Sequence, residues 1–499
     1  MLSLETLLTW SQLAIVTPLA VLGLHRGWLV ALYLRHRRAD PAPPTPDRGD
    51  LPTVTVQVPI YNERHVAARL IEAVAALDYP RDRLELQVLD DSTDDTSQLV
   101  AACLAGLPAD LHTTHLRRDH RDQFKAGALS DGLAAARGEL VAIFDADFVP
   151  RPDFLRAVVP HFADATVGMV QTRWEHLNAD YSLLTRMQAL LLDGHFAVEH
   201  VARARSGCFF NFNGTAGVLR KRCIEEAGGW QGDTLTEDMD LSYRAQLKGW
   251  RFLYRPDISC PAELPVDMGA FASQQHRWAK GSAQTARKLL GDIWRARVPW
   301  RVKFESSFHL LGNLAFVLVL ALVVLTLPLQ LLRSYHGTEV PPTLALVEGL
   351  PLLLATAGVL GYYGVSQLTL RRRRRASALL RIPLVIGLGA GLSINNSRGV
   401  ASGLLGPTGE FCRTPKNNAL DPDLRPPTAA YRPRANRVWI VEVVAGCWAI
   451  ATSLLSVSLG LPLTAIFHGL FGFGLLWVGG SSIPRPWVRA AVSPAAAKA

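Results

Sequence analysis

Two aspartates, Asp145 and Asp147, follow an apolar run of strand character in the segment LVAIFDADF, residues 140–148. Because side chains alternate along a strand end, the two carboxylates lie on the same side of the chain. Carboxylates without histidine or cysteine suit Mg²⁺ or Mn²⁺ carrying phosphate oxygens, and they do not suit Zn²⁺. The alternative, a helix N-cap beside a solvated aspartate, is not excluded by the pair alone. The segment therefore predicts a divalent-cation site, provided that the rest of the chain binds a phosphate-bearing substrate.

Further side chains that could bind a nucleoside lie at the ends of two other strand-like runs. Asp90 and Asp91 end the run LELQVLDD, and a strand-end carboxylate can accept hydrogen bonds from a base edge or a ribose. Tyr61 and Glu63 follow the first run in PIYNE, where the tyrosine could stack on a base and the glutamate could bond to it. Turn formation and helix capping would also explain these residue types.

Two positions could act on a diphosphate and on an attacking hydroxyl. Lys125 lies at a helix start in FKAGA, where its ammonium could contact a phosphate, although an exposed helical lysine is the ordinary alternative. Asp238 belongs to the acidic sequence TEDMD, and a carboxylate near a metal-bound diphosphate is the usual base for a sugar hydroxyl. One or two acidic residues of that sequence must only complement a helix dipole.

Two aromatic segments could bind an acceptor sugar. The segment FFNFNGTAG, residues 209–217, could stack its rings on a sugar, although the same rings could belong to a core. An amphipathic helix predicted over residues 271–294 suits a membrane surface, but this does not explain why Gln274 and Arg277 lie one turn apart beside Trp278. Arg277 could hold a leaving diphosphate, and Trp278 could stack on the acceptor.

The elements that must position these residues alternate between strand and helix from residue 53 to about residue 255. Strand-like runs occupy residues 53–60, 84–90, 111–116, 140–146 and 167–174, with helical patterns at 65–77, 93–105 and 123–137. This alternation predicts a mainly parallel, doubly wound α/β sheet. Such sheets bind ligands beyond the carboxyl ends of their strands, which is where the acidic clusters lie.

Apolar segments on both sides of this region are long enough to cross a bilayer. Five spans are predicted, at residues 7–34, 308–332, 344–368, 438–459 and 461–480. Basic flanks place residue 35 onward in the cytoplasm and the N-terminus outside. The segment 378–405 is glycine-rich and contains Arg381 and Pro383, which favours a re-entrant or interfacial helix. The five arginines at 371–375 indicate a cytoplasmic anchor more than a site for acidic lipid or nucleic acid.

The composition fits an integral protein of an inner or plasma membrane, with its α/β domain in the cytoplasm. The 499 residues are 49% hydrophobic and 19% charged, which is too apolar for an ordinary soluble enzyme. The net charge of +9 comes largely from arginines beside apolar stretches, so membrane anchoring explains the basicity better than nucleic-acid binding. The six cysteines are scattered without metal-binding spacing.

The chain is therefore expected to be a polytopic α-helical membrane protein with an inserted α/β domain. The expected regions are a transmembrane helix (1–40), a Pro-rich linker (41–52), the cytoplasmic α/β domain (53–260), amphipathic interface helices (261–300), a transmembrane hairpin (301–370), a cytoplasmic interfacial or re-entrant segment (371–437), a second hairpin (438–480) and a cytoplasmic tail (481–499).

The segments YNE, DDSTD, FKAGAL, DAD, FNGTAG, TEDMD and QQHRW occur in this order over residues 59–278. This ordered set resembles the processive family-2 glycosyltransferases, the cellulose, hyaluronan and chitin synthases, over roughly residues 50–420. Through VQVPIYNE, FDADFVPRPDFL and FNGTAGVLR it most resembles the plant cellulose-synthase-like mannan and glucan synthases. The resemblance implies a GT-A-like fold for the α/β domain. It also implies inverting transfer of a hexose from a nucleotide sugar into a β-1,4-linked mannan, glucomannan or glucan, and translocation of the product.

The resemblance implies a role for each candidate residue. The donor is expected at Tyr61, Glu63, Asp90, Asp91, Lys125, Asp145 and Arg277. The acceptor is expected at Asn213, Gly214, Thr215, Gln274 and Trp278. Asp147, together with Asp145, would hold Mg²⁺ or Mn²⁺, and Asp238 would be the general base. The stretch 411–416 is similar to the gating loop of cellulose synthases, with Arg413 in place of their valine.

The implied partners are GDP-mannose or UDP-glucose, a growing polysaccharide and the lipid bilayer, with no nucleic acid. Two other functions stay open. A family-2 enzyme that adds one sugar to a membrane lipid, as ceramide glucosyltransferases do, shares similar aspartates and an R-W sequence. A non-enzymatic sugar-binding membrane channel would be favoured by the loss of an acidic cluster, and all the clusters are present. The two hairpins and the gating-like loop favour the polymerising enzyme.

Overall fold

The computed structural model describes residues 3–38, 51–370, 375–409, 411, 413–416, 418–420 and 437–483. Most of the predicted Pro-rich linker lies outside these residues, as do most of the arginine run at 371–375 and most of the predicted C-terminal tail. Within the described part, an α/β domain packs against a bundle of long apolar helices.

A seven-stranded mixed sheet forms the centre of the α/β domain. Its strands are β1 (Val54–Ile60), β2 (Leu84–Asp90), β3 (His112–Arg117), β4 (Leu140–Ile143), β5 (Val167–His176), β6 (Gly217–Arg220) and β7 (Arg251–Ala262), in the spatial order β3-β2-β1-β4-β6-β5-β7. Neighbouring strands are parallel, except that β6 is antiparallel to both β4 and β5. The mainly parallel sheet was predicted, but β6 and β7 were not, because β6 has four residues and β7 contains two prolines.

Helices pack on both faces of the sheet. The helices before and within the domain are α1 (Leu4–His36), α2 (Ala67–Ala75), α3 (Thr96–Ala105), α4 (Phe124–Ala135), α5 (Phe154–Val158), α6 (Leu183–Gly194), α7 (His200–Arg205), α8 (Lys221–Glu226) and α9 (Glu237–Leu247). In β4, Ala142 belongs to the core that includes α2, whereas Val141 and Ile143 belong to the core that includes α4. This period of two is what a strand buried on both faces requires. Burying a side chain such as that of Val141 or Ile143 stabilises the fold by about 1.5–3 kcal/mol.

The remaining helices form the bundle and its connection to the sheet. They are α10 (Met268–Arg295), α11 (Trp300–Leu311), α12 (Leu314–His336), α13 (Pro342–Thr369), α14 (Arg375–Leu380), α15 (Ile382–Gly391), α16 (Ser393–Leu405), α17 (Val438–Ser458) and α18 (Pro462–Ser481). Five of the described helices, α1, α12, α13, α17 and α18, are long and apolar enough to cross a membrane. The predicted span at 308–332 corresponds to α12, which begins only after the separate helix α11.

The segment predicted as re-entrant or interfacial forms α14, α15 and α16. The helices on the two sides of residue 392 are bent by 50°, which fits either a broken sixth span or a re-entrant segment. Helix α16 packs on α10 through two glycines. A Cβ at Gly403 would lie 2.5 Å from the Lys280 carbonyl oxygen, and a Cβ at Gly399 would lie 2.8 Å from that of His276. Small residues permit this close backbone approach.

Candidate active site

A cavity of about 170 Å³ lies beyond the carboxyl ends of β1, β2 and β4. All predicted site residues except Asp90 and Thr215 line it: Tyr61, Glu63, Asp91, Lys125, Asp145, Asp147, Asn213, Gly214, Asp238, Gln274, Arg277 and Trp278. The fold therefore brings together side chains that are up to about two hundred residues apart in the sequence. This is the location that a mainly parallel sheet dictates for a ligand site.

Asp90 and Thr215 lie behind the wall of this cavity. The Asp90 side chain is 0% exposed, accepts a hydrogen bond from the Ser92 backbone N–H at 2.8 Å and pairs with His115 Nε2 at 2.9 Å. Thr215 Oγ1 accepts a hydrogen bond from the Asp145 backbone N–H at 2.9 Å. Both residues shape the loops that carry cavity residues. The arrangement does not support their predicted contacts with the nucleoside and the acceptor, because their side chains are buried away from the cavity.

The two aspartates of the predicted metal site each pair with a lysine. Asp145 Oδ1 accepts a hydrogen bond from Lys125 Nζ at 2.6 Å, and Asp147 Oδ2 accepts one from Lys416 Nζ at 2.5 Å. Burial raises the pKa of Asp147, while Lys416 opposes that rise. The negative charge that would attract a cation is therefore balanced by lysines in this arrangement.

The donor set fits a cation that takes most of its ligands from elsewhere. Among the described residues, no group of three or more His, Cys, Asp or Glu side chains could hold a metal ion. Mg²⁺ and Mn²⁺ commonly bind through one or two carboxylates, with phosphate oxygens and water completing their coordination. Asp145 and Asp147 fit that pattern, and a metal that needs a complete protein cage does not. Lys416 would have to leave Asp147 before a cation could bind there.

Asp238 lies in the first turn of α9, where its Oδ1 accepts a hydrogen bond from the Met239 backbone N–H at 2.8 Å. Gly214 lies close to this carboxylate, since a Cβ on Gly214 would be 3.0 Å from Asp238 Oδ2. Gly214 also has a φ of +76°, which glycine adopts more easily than other residues. Burial, with the neighbouring Glu237 carboxylate, raises the pKa of Asp238 to about 7. A carboxylate with a pKa near neutral pH is well suited to general-base work.

Two arginines that sequence reasoning missed shape the nucleoside side of the cavity. The Arg121 guanidinium lies over the Tyr61 ring, with Cζ 3.5 Å from the ring centroid. Arg118 Nε donates a hydrogen bond to Asp91 Oδ1 at 2.8 Å, and Arg118 Nη2 contacts the other oxygen. The signal was the basic segment RRDHR, which ends two residues before FKAGA. A base that stacked on Tyr61 would therefore have to displace Arg121 or stack against it.

The described part of the gating-like stretch lies in the same cavity, where Phe411, Arg413, Thr414 and Lys416 contribute to the lining. The Arg277 guanidinium lies 4.5 Å from the centre of the Phe411 ring. Arg413 Nη1 lies 3.5 Å from Glu63 Oε1, and burial raises the pKa of Glu63 to about 7 although Arg413 opposes that rise. Residue 412 lies outside the described residues. The stretch therefore contacts both the predicted metal ligands and the predicted donor residues.

Helix α10 connects this cavity to a larger one inside the helix bundle. The second cavity has a volume of about 530 Å³. The two cavities share wall residues, among them Asn213, Asp238, Gln274 and Trp278. An acceptor bound at Trp278 could therefore extend from Asp238 into the bundle.

Comparisons with known proteins identify relatives of the α/β domain. The family model "Glycosyltransferase like family 2" matches residues 52–281. The chain is 43% identical over 288 residues to glucomannan 4-beta-mannosyltransferase 1 of Oryza sativa subsp. japonica, a match that covers 56% of this chain and 55% of that protein. It is 44% identical over 275 residues to glucomannan 4-beta-mannosyltransferase 2 of Arabidopsis thaliana, covering 54% and 51%. The chain thus spans about half the length of these curated relatives.

One solved structure shows the fold. The structure of mannosyltransferase PcManGT from Pyrobaculum calidifontis, in complex with GDP-Man and Mn²⁺, matches with a TM-score of 0.55 and 24% identity. The match covers 79% of this chain and 99% of that one. It confirms the predicted GT-A-like fold class of the α/β domain.

Proposed function

We propose that this chain, whose residues 52–281 form a glycosyltransferase family 2 domain, polymerises a hexose from a nucleotide sugar into a β-1,4-linked mannan, glucomannan or glucan. The resemblance inferred from the ordered sequence segments is confirmed at the level of the family. One observation carries the proposal. Asp238, whose pKa is about 7, lies in the walls of both cavities. One is the cavity beyond the strand ends, where the donor would bind, and the other is the cavity inside the helix bundle, called the bundle cavity below. A base at such a junction can serve a chain that arrives from one side and a donor bound on the other.

The proposed reaction is an inverting glycosyl transfer. The Asp238 carboxylate takes the proton from an acceptor hydroxyl, and the hydroxyl oxygen attacks the anomeric carbon as the bond to the nucleoside diphosphate breaks. Lys125 and Arg277 hold the departing diphosphate by charge and hydrogen bonds. General-base assistance of this kind contributes about 10²- to 10⁴-fold. A Mg²⁺ or Mn²⁺ ion at Asp147 and Asp145 would, when bound, offset further negative charge on the diphosphate.

GDP-mannose is the first donor to test, and UDP-glucose is the second. The two similar plant proteins are named glucomannan 4-beta-mannosyltransferases, and the similar archaeal structure contains GDP-Man and Mn²⁺. The Arg121 guanidinium covers one face of the Tyr61 ring, so that ring gives no preference for guanine or uracil. The names therefore favour mannose, while the choice of nucleotide is left to the experiment.

We place the protein in an inner or plasma membrane, with the α/β domain in the cytoplasm. Five apolar helices and the basic residues that follow α1 support this placement. The bundle cavity begins at Asp238 and continues between apolar residues of α1, α13 and α18, such as Leu19, Leu352 and Phe471. A glycan that grows at Asp238 would enter the bundle there, so we assign translocation to the same chain.

The test is sugar transfer by the purified protein in lipid nanodiscs. With labelled GDP-mannose or UDP-glucose and Mn²⁺, the wild type should form a long product that a β-1,4-mannanase or β-1,4-glucanase degrades. Asp238→Asn should lower the initial rate at least 100-fold. Asp233→Asn is the matched control, because Asp233 pairs with Lys288 on the surface and lines neither described cavity. No glycan from any donor, or an Asp238→Asn rate equal to the wild-type rate, would contradict the proposal.

The second candidate is transfer of one sugar to a membrane lipid. The apolar residues of the bundle cavity, among them Leu19, Leu352, Phe467 and Phe471, would also fit the tail of a lipid acceptor. The same assay separates the two functions, because a single-sugar product partitions into organic solvent and a long glycan does not. A product of that kind would replace the polymerising function with the lipid-glycosylating one.

A further inference from the structure

Helix α1 carries two ionisable residues, His25 and Arg26, within an apolar segment long enough to span a membrane. An ionisable residue at such a position is costly, and by default it points to a function. Both residues line the bundle cavity. The proposed transfer, as described above, gives them no role.

The partner of Arg26 is Glu199, which ends a π-helical turn, His195–Glu199, between α6 and α7. Such turns interrupt the regular helical hydrogen bonds and are frequent at functional sites. Arg26 Nη1 donates a hydrogen bond to Glu199 Oε2 at 2.6 Å, and the Tyr362 hydroxyl donates to the same oxygen at 2.8 Å. Arg203 pairs with the other oxygen. Glu199 is thus occupied by protein groups, and its effect is to fix the position of Arg26.

Arg26 remains accessible from the cavity despite this pairing. Its side chain is 36% exposed, whereas that of Glu199 is 8% exposed. A guanidinium has five N–H donors, and the hydrogen bond to Glu199 uses one of them. Arg26 can therefore donate hydrogen bonds to a molecule in the bundle cavity while it stays paired with Glu199.

This group is connected to the surroundings of the general base. The cavity that Arg26 lines also includes Asp238 and Trp278. The π-helical turn contacts the same wall, because His195 Nε2 lies 3.1 Å from Asn213 Nδ2, next to the Gly214 that approaches Asp238. A molecule that extends from Asp238 through this cavity can therefore reach the side chain of Arg26.

The charges around Arg26 favour a neutral, hydroxyl-rich ligand over an anion. Arg203 Nε donates a hydrogen bond to Glu305 Oε1 at 2.9 Å, so that Arg26 and Arg203 are matched by Glu199 and Glu305. A balanced cluster offers directed hydrogen-bond donors without an excess of positive charge for a phosphate. Donors of this kind, together with the aromatic face of Trp278, are what a glycan chain requires.

We propose that Arg26, held in position by Glu199, binds hydroxyl groups of the acceptor glycan at a sugar behind the one that reacts at Asp238. The proposal rests on the proposed glycosyl transfer and adds a determinant of acceptor length to it. Only an acceptor long enough to reach Arg26 gains affinity from this residue. A disaccharide and a hexasaccharide should therefore differ in how they respond to its replacement.

The test compares Arg26→Met with a matched variant, Arg333→Met. Arg333 also forms a buried pair with a glutamate in the bundle, with Nη1 3.0 Å from Glu348 Oε2, but it does not line the bundle cavity. Binding of mannohexaose and cellohexaose is followed by tryptophan fluorescence, and initial rates are measured against acceptor concentration. Arg26→Met should weaken hexasaccharide binding and raise its KM at least 10-fold. It should leave the disaccharide KM and the donor KM unchanged, and Arg333→Met should change none of these values.

The outcomes separate this inference from the proposed function. Hexasaccharide binding by Arg26→Met that equals wild-type binding overturns the inference, as does an equal loss in Arg333→Met. If Arg26→Met shows no cooperative thermal transition, Arg26→Lys takes its place. Lysine retains the positive charge that pairs with Glu199, but a single ammonium nitrogen replaces the three nitrogens of the guanidinium fork. Unchanged hexasaccharide affinity in that variant therefore also overturns the inference. A wild type that binds the hexasaccharide through Arg26 but transfers no sugar supports the inference and contradicts only the proposed function.

Discussion

Burial of Asp238 is expected to favour the proposed proton transfer and to lower the stability of the fold. Its raised pKa suits it to take a proton near neutral pH, because a stronger acid would be a weaker base. The same burial makes the ionised carboxylate unfavourable in the folded state. The ionised Asp238 carboxylate is therefore expected to increase the transfer rate and to decrease the stability of the fold.

The transfer rate should fall as pH is lowered through about 7. Asp238, with a pKa of about 7, becomes protonated there and can no longer accept the proton of the acceptor hydroxyl. The measurement is kcat at saturating donor and acceptor between about pH 5.5 and 9, where the ascending limb should have a slope of one. A rate independent of pH over this range would contradict the assignment of Asp238 as the base.

Replacing Asp238 with asparagine should raise the thermal stability at pH 8 while it lowers the transfer rate at least 100-fold. The folded-state pKa lies above the ordinary value of 3.8, so ionisation destabilises the fold above that value, and the full effect is present above about pH 7. The gain in Tm should be a few degrees at pH 8 and should shrink towards pH 4. Equal gains at both pH values, measured by scanning fluorimetry, would show that the effect does not come from the charge.

The loop after α16 forms ion pairs with residues at the ends of strands of the sheet, and α16 packs on α10. The loop after α16 anchors itself to the end of β4 through Lys416 and Asp147, and to the end of β1 through Arg413 and Glu63. Helix α16 itself packs on α10 through glycines. The position of Arg277 and Trp278 therefore depends on elements far along the chain.

Replacing Lys416 with methionine should tighten the binding of Mn²⁺ in the absence of nucleotide several-fold. The ammonium of Lys416 lies on Asp147 and competes with a cation for the same carboxylate. Free Mn²⁺ measured by electron paramagnetic resonance gives the affinity of each variant. Lys303→Met is the control, because Lys303 pairs with the carbonyl oxygen of Trp294, outside the cavity. Equal or weaker Mn²⁺ binding by Lys416→Met would contradict the competition.

An alanine at Gly403 should destabilise the contact between α16 and α10 by about 1–3 kcal/mol. Its Cβ would lie 2.5 Å from the Lys280 carbonyl oxygen, which is too close without movement of the helices. Thermal unfolding should show a lower Tm, and hexasaccharide binding at Trp278 should weaken. Gly364→Ala is the matched control, since a Cβ there would meet no atom within 4 Å. A Tm unchanged from wild type would exclude the steric conflict.

In the whole molecule, the two cavities join the α/β domain to the helix bundle. Because Asn213, Asp238, Gln274 and Trp278 belong to the walls of both, bond formation and entry into the bundle would occur at one place. With this arrangement, the glycan would move further into the bundle after each added sugar and would not have to leave the protein.

Proteoliposomes that receive donor from outside should accumulate glycan in their lumen. Molecules with the α/β domain outside would synthesise the chain there and pass it through the bundle. Labelled product should resist external β-1,4-mannanase or β-1,4-glucanase until detergent is added. Full digestion without detergent would contradict translocation and leave synthesis intact.

Features that follow from local patterns could be predicted from the sequence alone. Hydropathy located the five apolar helices, and alternation located β1, β2 and β4 with the aspartates after β4. The ordered segments predicted a similarity to the family whose model matches residues 52–281. These features depend on residues that are neighbours in the chain, so they can be read without the fold.

Which side chains contact one another depends on the packing of the folded chain. Asp90 and Asp91 are adjacent in sequence, yet one pairs with His115 behind the wall and the other lines the cavity. Lys416 and Asp147 are 269 residues apart, and Arg26 and Glu199 are 173 residues apart. Contacts over such distances depend on how the strands, helices and bundle pack, and no local pattern encodes that packing. For this reason the proposed base and metal ligands could be predicted from the sequence, whereas the role proposed for Arg26 rests on contacts that appear only in the fold.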